Sequence, residues 1–179
     1  DDLDWQIAQA RQHNVRVLLV VGRRTPRWPE CHDPVWLAKL APLAVQWQQL
    51  DFVKRVVGRY KDNPAITAWQ VENEPLFGMF GDCPAPNADF LTEEVAAVHQ
   101  LDSRPVVITD SGELNNWQSA ARAGDVLGVT MYRIVWNQYT GFWSYWFIPP
   151  AVYQFKADIT KCFHPKLKNI MVSELQMEP

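Results

Sequence analysis

Short apolar runs and stripes of helical period follow one another along this chain, and their order predicts its architecture. Residues 4–14 read as a helix with Trp5, Ile7, Ala8 and Ala10 as its apolar positions and Asn14 as its stop. Residues 15–21 form a β-branched run ended by Gly22, the pattern of a buried strand. After a proline-rich loop over 23–34, Leu43, Trp47, Leu50, Val53, Val57 and Tyr60 recur at helical spacing. Asn63-Pro64 then turns the chain into a strand over 65–74. A helix is predicted over 92–101, with Thr92 as its cap and Glu93 and Glu94 in a first turn that favours acids. A strand over 105–110, a helix over 115–123 stopped by Gly124 and a strand over 125–132 follow. An aromatic loop leads into a helix over 151–163, and the last strand covers 169–174.

Strands alternating with helices predict an α/β fold with a parallel sheet and crossover helices, in one domain without repeats or linkers. A closed (β/α)8 TIM-barrel needs roughly 250 residues, more than the 179 present. The expected architecture is therefore an incomplete (β/α)8 barrel, with about three strands outside the chain, two before residue 1 and one after residue 179. An open, doubly wound five-stranded sheet is the alternative. Pairing of the first and last strands distinguishes the two.

Composition narrows the function. A net charge of −3 disfavours nucleic acid as a partner, since phosphate binding needs a basic face. No apolar run approaches the roughly 20 residues of a membrane helix, and the start Asp1-Asp2-Leu3-Asp4 is too acidic for a secretory signal. Cys31, Cys83 and Cys162 lack metal-ligand spacing. Cys31 and Cys83 fall in loops after neighbouring strands, where they could form a disulfide; three free thiols are the alternative. Nine Trp, eight Phe and five Tyr are many for this length, and a good part of them fall in loops. Such rings serve a core or stack on a sugar equally well.

Candidate chemistry gathers at strand ends. The run Trp69-Gln70-Val71-Glu72-Asn73-Glu74-Pro75 delivers an Asn-Glu pair to the end of one strand, and the last strand delivers Glu174 in the same way. The C-terminal strand ends form the active face of a parallel barrel, and two carboxylates there suffice to cleave a glycosidic bond. Strand alternation puts Glu72 on the same side as Glu74 but one pleat deeper, as a polar residue of the barrel interior. Glu178, past the last strand, reads as a solvated loop acid within reach of a sugar. In the loop after the first strand, Trp28 could stack on a sugar and Arg24, Glu30 or His32 could bind hydroxyls; a rigid loop of prolines and ion pairs is the other reading. The loop over 133–147 holds Trp136, Tyr139, Phe142, Trp143, Tyr145, Trp146 and Phe147, either as a subsite wall with Trp136 and Trp143 as platforms or as a self-packed lid. A membrane-surface anchor would want flanking lysines, which this loop lacks.

Asn73-Glu74-Pro75 closing one strand, Tyr132 closing a later one and Glu174 closing the next resemble the clan of retaining (β/α)8 glycoside hydrolases. That clan includes cellulases, mannanases, β-glucosidases and β-galactosidases. The resemblance implies that the five strands are strands three to seven of the barrel. It implies Glu74 as general acid/base and Glu174 as nucleophile, with carboxyls roughly 5–5.5 Å apart. Tyr132 would donate to the nucleophile, and Asn73 would meet the sugar 2-hydroxyl. The substrate would be a β-linked oligo- or polysaccharide, with no metal or organic cofactor needed. The clan's strand-two Arg and strand-eight Trp have no counterpart here, and Arg133 stands where a His often follows strand six. Two other classes remain: a catalytically silent carbohydrate-binding barrel, and paired acids serving a metal. The absence of a His at the strand ends disfavours the last.

Overall fold

The computed structural model describes residues 2–137 and 139–176. Strands β1 (Val17–Val21), β2 (Ile66–Val71), β3 (Val106–Ser111), β4 (Val126–Met131) and β7 (Asn169–Leu175) pair in that order, all parallel. Helices α1 (Asp2–Gln12), α2 (Pro42–Tyr60), α3 (Ala88–His99), α4 (Gln118–Ala123) and α5 (Pro150–Phe163) alternate with them. Strands β5 (Ile134–Asn137) and β6 (Gly141–Ser144) form a separate antiparallel hairpin. Strand order follows chain order without reversal, so the switch point that defines a doubly wound sheet is missing. Among the described residues β1 and β7 are both edges, so the sheet is open rather than a closed barrel. Met171 and Val172 of the β7 edge are exposed.

Each central strand has two faces of different chemistry, as the two-residue period requires. Trp69 and Val71, Val106 and Ile108, and Leu127 and Val129 pack with Ile7, Val53, Val57, Leu91, Val95 and Val98 into one apolar core. The Trp69 indole satisfies its N–H on Asp102 at 2.9 Å. The alternate positions Gln70, Thr109 and Thr130 are buried and polar, and they line the other face.

Several predicted boundaries shift for local reasons. Helix α3 begins at Ala88, because Asn87, not Thr92, caps it by accepting from the Phe90 N–H at 3.0 Å. Thr92 lies inside the helix and returns its hydroxyl to the Ala88 carbonyl. The acid of the first turn is Asp89, and Glu94 is buried instead. Helix α4 starts only at Gln118, since Trp117 takes a left-handed φ of 69° and buries its ring. The aromatic loop folds into the β5–β6 hairpin. Cys31 and Cys83 are joined in a disulfide with Cα atoms 5.3 Å apart, and Cys162 is an exposed thiol on α5.

Candidate active site

Strand β2 ends at Val71, three residues short of the predicted end, because the backbone turns over at Glu72 (φ 60°) and Glu74 (φ 44°). Left-handed backbone at a non-glycine residue costs on the order of 1–2 kcal/mol and gathers at functional sites. The turn sends the two glutamates to opposite places. Glu74 is only 7% exposed and accepts the Thr130 hydroxyl at 2.6 Å, while its N–H donates to Thr109 at 2.8 Å. Glu72 instead points toward the helices, where its carboxylate accepts the Arg23 and Arg24 backbone N–H groups and the Gln49 amide. Its predicted place beside Glu74 is therefore corrected: strand alternation cannot be carried through a residue whose φ is positive. Gly22 is required here, since a Cβ at its φ of 123° would occupy the space of the Glu72 carboxylate.

Thr130 links the two halves of the site. It holds Glu74, and it is the register partner of Glu174 across the β4–β7 ladder, so Glu174 projects on the same side. Glu174 lies within β7 rather than at its end. Tyr132, the residue after β4, donates its hydroxyl to the Glu174 carboxylate in a short hydrogen bond. Burial and that carboxylate push the phenol well up, so it stays a donor. Burial likewise pushes Glu74 up to about 7; the Thr130 hydrogen bond works against this, and the charges of Glu30 and Glu174 add to it. The two carboxyls thus stand in different environments.

The loop after β1 contributes from the other flank. Arg24 is buried, with Nε on Glu30 at 2.5 Å and its terminal nitrogens on the Phe77 and Phe80 carbonyls at 2.8 and 2.6 Å. Its described donors serve the protein, which is the rigid-loop reading of this residue. Asn73 donates Nδ2 to Glu30 at 3.2 Å and accepts from Gln70 at 3.1 Å. Burial pushes the Glu30 carboxyl up, against the Arg24 pair and the Asn73 hydrogen bond. His32 is exposed, and Trp28, 66% exposed, makes an edge contact with Phe80 at 5.5 Å. In the hairpin Trp136 faces Phe142 and Trp143 faces Val135. Directly opposed residues share a face, so Trp136 and Trp143 lie on opposite faces and cannot both line one wall. Glu178 lies outside the described residues.

A second acidic pair lies behind the site. Gln49 of α2 donates to Glu72 and to Glu94 of α3, each at 2.7 Å. Burial pushes both carboxyls up; Glu94, also repelled by Glu72, is pushed up to about 9. Because Glu94 binds its proton more tightly folded than unfolded, this pair lowers stability as pH rises from about 4.5 to about 9. Glu94→Gln keeps the hydrogen bonds without a proton to lose. It should flatten that slope and add roughly 3 kcal/mol at neutral pH, read from urea melts across pH. A variant with the wild-type slope would show that Glu94 is ionised in the fold.

Sequence reasoning passed over Thr109, Thr130 and the burial of Glu94, yet each left a signal. Thr130 lies two residues before Tyr132 and so shares its face. Phe90, Leu91, Glu94, Val95 and Val98 lie on one helical stripe, which puts Glu94 among the apolar positions. Among the described residues no group of three or more His, Cys, Asp or Glu could hold a metal, and no helix is long and apolar enough to cross a membrane.

The fold is glycosidase-like. A β-galactosidase from the psychrophilic Marinomonas ef1 is similar with a TM-score of 0.56 at 15% identity, over 73% of this chain and 33% of that one. A polyextremophilic β-galactosidase from the haloarchaeon Halorubrum lacusprofundi gives 0.53 at 16%, over 78% and 34%. An FMN-binding β-glucuronidase from Facaelibacterium prausnitzii L2-6 gives 0.52 at 17%, over 77% and 19%. At these identities the likeness is one of fold, and the chain spans between 19% and 34% of each relative's length. No family model and no curated protein matches the sequence.

Proposed function

We propose that the chain is part of the catalytic domain of a retaining β-glycosidase, built on strands three to seven of a (β/α)8 barrel. The observation that carries this reading is the shared Thr130 position, which brings a buried, readily protonated Glu74 and a Tyr132-bound Glu174 to one face. Glu174 attacks the anomeric carbon as Glu74 protonates the departing glycosidic oxygen. The bond from carbon to the leaving oxygen breaks, and an ester to Glu174 forms. Glu74, now a carboxylate, takes a proton from water, the water attacks the same carbon, and Glu174 is released. Asn73 meets the 2-hydroxyl. The β-linked glycan takes its stacking surface from Trp28 and from one face of the hairpin. His32, exposed in the same loop as Trp28, binds hydroxyls at the rim.

The test is NMR detection of the anomer released first from β-linked oligosaccharides. The β-anomer is expected, and the α-anomer would exclude double displacement. Because Glu74 must enter protonated, kcat/KM should fall as pH rises through about 7. A flat profile up to pH 9 would remove Glu74 from the acid role. The binding-only reading draws on the β1 and β7 edges, which have no outer strand partner among the described residues. Titration calorimetry showing sugar binding without turnover would favour it.

A further inference from the structure

We propose that Glu30, clamped by Arg24, is a positioning residue that holds the Asn73 amide in the orientation needed at the sugar's 2-hydroxyl. The inference rests on the glycosidase reading above. Glu30 is 3% exposed and stands in the loop after β1, forty-three residues from Asn73 in sequence. Its Oε2 takes the Arg24 Nε at 2.5 Å, and its Oε1 takes one hydrogen of Asn73 Nδ2 at 3.2 Å. A carboxylate accepts and cannot donate, so only the nitrogen end of the Asn73 amide can face it. Gln70 fixes the other end by donating to Asn73 Oδ1 at 3.1 Å. With both ends assigned, the second Nδ2 hydrogen has a set direction and, among the described residues, remains to meet a ligand oxygen. Arg24 in turn is tied to the Phe77 and Phe80 carbonyls of the loop that follows Glu74. The clamp therefore spans the loops on both sides of the Asn-Glu pair. A pair serving only to hold two loops together would need the Arg24 contact alone. The oxygen turned to Asn73, in a residue that accepts a left-handed φ of 69°, calls for a further role.

Two measurements on the full chain test this with Glu30→Gln. The first follows exchange of the Asn73 side-chain amide protons by NMR in the free protein. The variant should exchange roughly tenfold faster, the equivalent of one charge-assisted hydrogen bond; unchanged exchange would overturn the proposal whether or not the protein is an enzyme. The second compares aryl β-glycosides with and without the 2-hydroxyl. On the former, kcat should drop about tenfold with KM within about twofold, and on the 2-deoxy analogue the loss should shrink to about twofold. Equal losses on both substrates would mean that Glu30 acts only through folding. A wild type without turnover would sink the glycosidase reading and leave the exchange measurement to decide on Glu30. If Glu30→Gln does not fold, Glu30→Asp retracts the carboxylate from Asn73 while keeping a charge for Arg24, and it carries the same expectations.

Discussion

Glu174→Ala should leave no measurable hydrolysis of a β-linked glycan, and Glu74→Ala should slow it about 10²–10⁴-fold. The two losses differ in kind. On the proposed mechanism no other atom can take the anomeric carbon in the first displacement once Glu174 is gone, so even an activated aryl leaving group does not help. Without Glu74 the first displacement lacks only its proton, so a leaving group that needs none recovers much of that step. Azide separates the roles further: in Glu174→Ala it enters the vacated space and yields the α-glycosyl azide, and in Glu74→Ala it replaces activated water and yields the β-azide. Initial rates on a nitrophenyl glycoside with and without azide, and the anomer formed, decide the matter. Full activity in either variant would end the assignment.

Loss of the Cys31–Cys83 disulfide should cost about 4 kcal/mol by the chain-entropy relation, given the separation of 52 residues that it closes. Domains are stable by about 5–15 kcal/mol in all, so the Cys31→Ser, Cys83→Ser double variant should lose a large part of its folding free energy. The effect is not only global. Cys31 follows Glu30 directly, and Cys83 closes the loop whose Phe80 carbonyl holds Arg24. The same tie therefore keeps the Glu30–Arg24 clamp in register with Asn73. Urea melts of the variant, and of the wild type with and without reductant, give the number. Melts that agree within about 0.5 kcal/mol would show that the loops are held by their hydrogen bonds alone.

The parallel sheet and its helices were legible because periods of 2 and 3.6 survive in single sequences, as the Val15 to Val21 run and the Leu43 to Tyr60 stripe show. The strand that leads to Asn73-Glu74 and the strand that carries Glu174 were legible for the same reason. What was not legible depended on backbone signs and on distant partners. Nothing in Trp69 to Pro75 signals that Glu72 turns left-handed, so the alternation runs on three residues past the strand's end at Val71. Glu30 read as one polar loop residue among several, because its partners Arg24 and Asn73 meet only when β1 and β2 lie side by side. The hairpin in the aromatic loop was missed because aromatic residues occupy both of its faces and leave no alternation to read.

Glu30, Glu72 and Glu74 all sit in a backbone region that side chains with a Cβ enter only at a cost. Drift at these codons is accordingly narrow: Gly, Asn and Asp would relax the main chain, while Val, Ile or Thr would fight it. A lineage that had given up its chemistry would be expected to slide toward the relaxed set and gain stability in doing so. Glycine would relax the main chain at all three positions, at the loss of the carboxyl that each contributes.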